Sequence, residues 1–124
     1  MQRAEKSKPP FLMHWRCEME RDVNFNVRVA CACGIREAVI ATLLWSLLND
    51  PEEEIISRHG KDWVRITQRM ITAQFPFMTI DMVQGSIQKL KRKGIISIGD
   101  FNEDRFNHTN WYAFSDYGYE LMMS

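Results

Sequence analysis

Residues Thr67–Ile98 read TQRMITAQFPFMTIDMVQGSIQKLKRKGIISI, and the way this stretch divides decides the fold. Thr67 can cap a helix running through Gln74, with Met70, Ile71 and Phe75 on its inward side. Pro76 lacks an amide proton and stops that helix. Phe77 and Met78 cross a tight connection to Thr79, a second N-cap. From Ile80 to Lys93 the residues Ile80, Val83, Ile87 and Leu90 recur at spacings of three and four, which is the stripe of a helix packed on one side. Gly94 then ends it. Two helices joined by a short turn result.

Working outward, Ile95–Ile98 and Trp111–Phe114 are rich in residues suited to sheets and flank the polar loop Gly99–Asn110. They form a hairpin, and a hairpin directly behind a helix-turn-helix is a wing. Ser115 or Asp116 caps a last short helix holding Tyr117, Tyr119, Leu121 and Met122. On the upstream side, Trp63–Ile66 reads as a short extended segment. Pro51–Gly60, with Glu52, Glu53 and Glu54, reads as an acidic connection, either solvated loop or first helical turn. Ile35–Leu48 is a strong helix whose apolar residues cover more than one face, so it is expected to be central or shared with another subunit. Asn49, Asp50 and Pro51 end it. Asn24 is an N-cap candidate for a short helix through Cys33, with Gly34 in the left-handed position behind it. Phe11–Arg21 keeps neither helical nor strand period. The expected fold is therefore mainly α within the α+β class, a winged helix-turn-helix with about four to five helices and a two- to three-stranded wing hairpin. Its expected layout is an N-terminal arm over 1–22, loose or packed on the domain, a winged-helix domain over 23–116, and a short C-terminal helix or tail over 117–124.

A chain of 124 residues, 45% hydrophobic and 26% charged, suits one packed domain rather than a disordered or membrane chain. Its longest apolar run, Ala38–Leu48, is interrupted by Thr42 and Ser46 and is shorter than the roughly 20 residues a bilayer requires. Pro9 and Pro10 follow Arg3, Lys6 and Lys8 where a signal peptide would place its apolar stretch, so a cytoplasmic location is expected. The three cysteines, Cys17, Cys31 and Cys33, are odd in number, and Cys31-Ala-Cys33 lacks Cys-x-x-Cys spacing. All three are expected to be reduced, and Cys31 and Cys33 read as small buried thiols on a helix, with neither disulfide nor metal expected.

Net charge is zero, from 16 basic and 16 acidic residues, yet the signs are segregated. Lys61–Gly94 contains seven basic residues (Lys61, Arg65, Arg69, Lys89, Lys91, Arg92, Lys93) against Asp62 and Asp81. The segments on both sides of it are acidic. A polyanion is thus attracted to one region and repelled by others. The major groove of B-DNA, about 12 Å wide, admits one helix, and the reading helix must be packed on one face and polar on the other. The helix 80–93 meets that demand. Opposite its stripe stand Asp81, Gly85, Gln88, Lys89 and Arg92, with Gln84 at the edge. Gln84 and Gln88 match the donor and acceptor pair of adenine, whereas Lys89, Arg92, Lys93 and Arg69 suit phosphates. Gly85 would allow close backbone approach, and Thr79 and Arg105 of the wing complete the expected DNA-binding set. Asp81 suits the positive end of the helix dipole. His14, His59 and His108 share no metal spacing, and neither a phosphate-binding glycine loop nor a nucleophile elbow occurs, so the chain does not read as an enzyme and no cofactor is expected.

The combination of Trp63-Val64, Gln74-Phe75-Pro76-Phe77-Met78-Thr79-Ile80, Ile87-Gln88-Lys89-Leu90, Lys93-Gly94-Ile95-Ile96 and Asn110-Trp111-Tyr112 resembles winged-helix proteins of phages, plasmids and integrated elements of Gram-positive bacteria, among them replisome organisers and replication-initiation proteins. Gly34-Ile35-Arg36-Glu37-Ala38-Val39-Ile40 is similar to their first long helix, so the resemblance spans roughly Asn24 to Phe114. It implies double-stranded DNA as ligand, near a replication origin or regulatory site, and replication proteins as partners. The chain departs from the pattern in carrying Asp81, Met82 and Gln84 where such proteins often have arginines. The competing expectation is a protein-interaction or dimerisation module built on helix 35–48 and the Tyr117–Met123 tail, giving a homodimer.

Overall fold

The computed structural model describes residues 22–102 and 109–123. Among them lie five helices and a four-stranded antiparallel sheet, an α+β fold. The first helix, α1 (Val27–Cys33), begins at Asn26, whose Oδ1 accepts from the Val29 amide at 2.9 Å. The expected cap was Asn24. Asn26 takes the position because the core holds it there: its amide donates to Thr42 Oγ1 at 3.0 Å and its Nδ2 to the Leu121 carbonyl at 3.4 Å. Gly34 follows at φ +125°, a backbone region that an L side chain rarely adopts, and lets α2 (Ile35–Leu48) start without a linker. Ala38, Val39, Ile40, Ala41, Leu44 and Leu47 are all buried, because α2 packs against α1, a later helix and the sheet at once. Most of its broad apolar surface is therefore covered by the chain's own core. Cys33 is buried as expected, but Cys31 is exposed, since it points away from the side of α1 that carries Val29 and Cys33.

The acidic connection, expected as a solvated loop or first helical turn, contains a strand instead. Strands β1 (Ile55–Arg58) and β2 (Lys61–Arg65) form a hairpin in the register Ile55↔Val64 to Arg58↔Lys61. Its two-residue turn, His59 and Gly60, has φ of +56° and +74°, the backbone that matches the twist of paired strands. The sheet thus has four strands rather than the two or three expected. Next comes α3 (Gln68–Gln74), capped by Thr67 Oγ1, which accepts from the Met70 amide at 3.0 Å. A tight connection bearing Pro76 leads to α4 (Ile80–Arg92). The last turn of α4 closes as a Schellman motif: the Gly94 amide, at φ +76°, donates to the Lys91 carbonyl and the Ile95 amide to the Leu90 carbonyl, both at 3.0 Å. Leu90 and Ile95 are both fully buried, supplying the apolar contact that accompanies this motif.

Strands β3 (Ile96–Gly99) and β4 (Trp111–Phe114) complete the sheet in the order β1-β2-β4-β3, with Ile96↔Phe114 and Val64↔Tyr112 in register. All four residues of β4 are buried, because alternate side chains enter different clusters. Tyr112 and Phe114 join the main core under the helices, while Trp111 and Ala113 join Trp63 on the other face. Asn102 ties the base of the β3–β4 hairpin together. Its Oδ1 accepts from Trp111 Nε1 at 3.2 Å and Arg65 Nη1 at 3.1 Å, and its Nδ2 donates to the Thr109 carbonyl at 2.8 Å. The last helix, α5 (Asp116–Met123), is capped by Ser115 Oγ, which accepts from the Gly118 amide at 2.9 Å, and it buries Leu121. Among the described residues, no helix is long and apolar enough to cross a membrane.

Candidate nucleic-acid interface

Helix α4 is positioned by what it buries. Val83, Ile87 and Leu90 are fully enclosed and Ser86 nearly so, which fixes the rotation of the helix on α2 and α3. The expected stripe included Ile80 instead of Ser86. Ile80 is 45% exposed, whereas Ser86, one turn before Leu90 and beside Val83 and Ile87, is buried in its place. Thr79 starts the helix: its Oγ1 accepts from the Met82 amide at 3.1 Å, and Met82 Sδ accepts in return from the Thr79 amide at 3.5 Å. Thr79 is exposed, but its oxygen is engaged in this cap.

The opposite face of α4 is open. Asp81, Gln84, Gly85, Gln88, Lys91, Arg92 and Lys93 are all exposed. Among the described residues, the side chains of Gln84, Gln88, Lys91, Arg92 and Lys93 make neither hydrogen bond nor ion pair. Gly85 stands in free space, where a Cβ would meet nothing within 4 Å. Packing and backbone angle therefore do not require glycine there, although it costs about 1 kcal/mol relative to alanine in a helix interior.

The remaining expected residues fall into distinct places. Lys89 is only half exposed and leans toward the α1–α2 junction, where its Nζ lies 3.6 Å from the point a Gly34 Cβ would occupy. Burial pushes the Cys33 thiol above its ordinary range, the nearby Glu37 carboxylate adds to this, and Lys89, Lys93 and Arg92 oppose it. The basic end of α4 thus faces this junction as well as solvent. Arg69 is exposed on α3, which packs against α4. Arg105 lies outside the described residues. Arg65, counted in the basic segment, is committed elsewhere: it pairs with Glu54 at 3.1 Å and stacks over the Trp111 ring at 5.1 Å. Lys91, Phe77 and Ile80 belong to the exposed surface around α4 and were not among the expected contacts. Helical turn-counting from Gln84 and Gln88 already places Lys91 beside them, whereas Ile80 reads as part of the buried stripe and Phe77 only as part of the tight connection, so the exposure of this apolar pair has no sequence signal.

A surface cleft elsewhere, between α2, the β1–β2 turn and α5, is lined by Trp45, Lys61, Asp62, Phe114, Asp116 and Tyr119. Its three aromatic rings pack edge to face around Trp45, at 5.3 Å to Phe114 and 5.2 Å to Tyr119. No group of three or more His, Cys, Asp or Glu side chains among the described residues is arranged to hold a metal ion.

Neither a protein-family model nor a curated protein nor a solved structure matches this chain.

Proposed function

We propose that the chain is a winged-helix domain that binds duplex DNA with α4 in the major groove. The order of elements supports this reading, since α2, β2, α3, α4 and the β3–β4 hairpin follow one another and β4 lies between β2 and β3. The observation that carries it is the outward strip of α4, where two amides and three cations are exposed with no partner among the described residues, around a glycine that the packing does not require. In this reading Lys91, Arg92 and Lys93 neutralise phosphates, with Arg69 on the adjoining helix, and Gln84 and Gln88 face base edges. Lys89 contributes less than its place in the sequence implied, because it is partly buried and its ammonium leans toward the α1–α2 junction. The resemblance to mobile-element replication proteins makes an origin or regulatory site the target, in the cytoplasm, with replication proteins as partners.

The test is duplex affinity measured over a range of salt concentrations. With three to four phosphates neutralised, the logarithmic slope is expected to be about −3, and the double variant Lys91→Ala/Arg92→Ala should flatten it by about two. A slope near zero for the wild-type chain defeats the proposal.

A second reading, self-association, is favoured by the exposed Val27, Ile35, Tyr117, Tyr119 and Met123. It draws on α1 and α5 rather than on the body of α2, and it is compatible with DNA binding because winged helices commonly pair to read two half-sites. Sedimentation equilibrium should show a concentration-dependent dimer that Tyr119→Ser/Met123→Ser weakens. A monomer at high micromolar concentration ends this reading.

A further inference from the structure

We propose that the base pairs read by α4 are A·T pairs, recognised together through the thymine methyl group and the adenine amide edge. The inference rests on the reading of α4 as the DNA-binding helix and concerns what that helix selects. Three features of the exposed strip carry it.

First, no lysine or arginine occurs from Thr79 to Gln88. Guanine presents two acceptors, N7 and O6, in the major groove, and the side chains that pair with both are those of arginine and lysine. The first two and a half turns of α4 offer neither, and Asp81, an exposed acceptor, is repelled by the same two atoms. Second, Gln84 and Gln88 are exposed four residues apart on one side of the helix, and each carries the donor and acceptor that adenine N7 and N6 require together. Gly85 lies between them without a Cβ, and the open space around it lets the backbone sink toward the base edges. Third, two large apolar side chains are exposed where α4 begins. Phe77 is 58% exposed and Ile80 is 45% exposed, on either side of the Thr79 cap. Ile80, Gln84 and Gln88 succeed one another at intervals of four, so an apolar group and two amides share one strip. In the major groove the apolar partner for such a side chain is the C5-methyl of thymine, which neither cytosine nor guanine carries. Asp81 can accept from adenine N6 or cytosine N4 alike and so leaves its own position open to either.

The experiment uses the full chain and three alternating duplexes, one of dA·dT, one of dA·dU and one of dG·dC. The dA·dU duplex keeps every hydrogen-bonding group of dA·dT and lacks only the methyl, so it isolates the apolar contact in the major groove. The dA·dT duplex is expected to bind about tenfold or more tightly than dG·dC, with dA·dU between them. Phe77→Ala/Ile80→Ala should bring dA·dT and dA·dU to equal affinity while leaving the salt slope unchanged. Both residues are exposed, and a thermal melt coincident with wild type confirms that the variant is folded. Gln84→Ala/Gln88→Ala should reduce the preference over dG·dC in the same way. Equal affinity for dA·dT and dA·dU in the wild-type chain, or a preference for dG·dC, overturns the inference while salt-dependent binding still stands. No salt-dependent binding to any of the three overturns the reading of α4 beneath it, and the inference with it.

Discussion

Two glycines in helices carry opposite burdens, and their contrast separates packing from function. Gly118 in α5 lies against the backbone of Ile95, so that a Cβ there would collide with the Ile95 carbonyl oxygen, which also accepts from the Ser115 amide. Gly118→Ala should therefore destabilise the fold by about 1–3 kcal/mol, the usual result of forcing a group into filled space. Gly85 faces nothing, and Gly85→Ala should raise stability by up to about 1 kcal/mol because alanine is the better helix former. If Gly85 is the point of closest approach to DNA, the same change must also weaken duplex affinity. Urea melts give the first quantity and titration against a duplex the second. A Gly85→Ala protein that is more stable and binds equally well would make this a tolerated glycine with no part in binding.

At the scale of elements, legibility followed the strength of local punctuation. The α3–α4 pair could be read because Thr67, Pro76, Thr79 and Gly94 each impose a backbone state by chemistry that does not depend on the rest of the chain, and all four act where expected. β4 was legible for a related reason: Trp111–Phe114 has aromatic residues that suit both faces of a central strand. β1 was obscured because Glu52, Glu53 and Glu54 dominate the composition of its segment, while only two of the strand's four residues, Ile55 and Ile56, are of a type suited to sheets. Its turn was also hidden, since His59 at positive φ has no strong sequence signature, unlike Asn-Gly or Asp-Gly. The choice of Asn26 over Asn24 depended on Thr42 and Leu121, which are distant in sequence and invisible to a local rule. The site shows the same division. Turning by 100° per residue placed Gln84, Gly85, Gln88 and Arg92 on the open face, but only the fold revealed that Lys89 leans toward the α1–α2 junction and that Ile80 stands outside the core.

For the molecule as a whole, the response to alkali reports how the core joins helices to sheet. Cys33 at the end of α1 and Tyr112 in the middle of the sheet are both acids of the main core. Burial raises the Cys33 thiol above its ordinary value of 9.0, and Glu37 adds to the shift while Lys89, Lys93 and Arg92 counteract it. Burial likewise raises the Tyr112 phenol above its ordinary value of 10.0, against hydrogen bonds to Asn110 and Gln68 that lower it. As pH rises, the unfolded chain loses each of these protons before the folded chain does. Over that interval the folded state binds more protons, so stability falls with increasing pH. The contribution of each group is complete below its ordinary value and is lost as pH climbs through the raised folded one. Urea midpoints should therefore hold steady from about pH 7 to 8 with respect to these two groups, then decline in the thiol range and again in the phenol range. Cys33→Ala should remove the earlier part of the decline and Tyr112→Phe the later part, leaving the other in place. A wild-type midpoint that stays level through both ranges would mean that neither acid is held protonated by the core, although both side chains are buried in it.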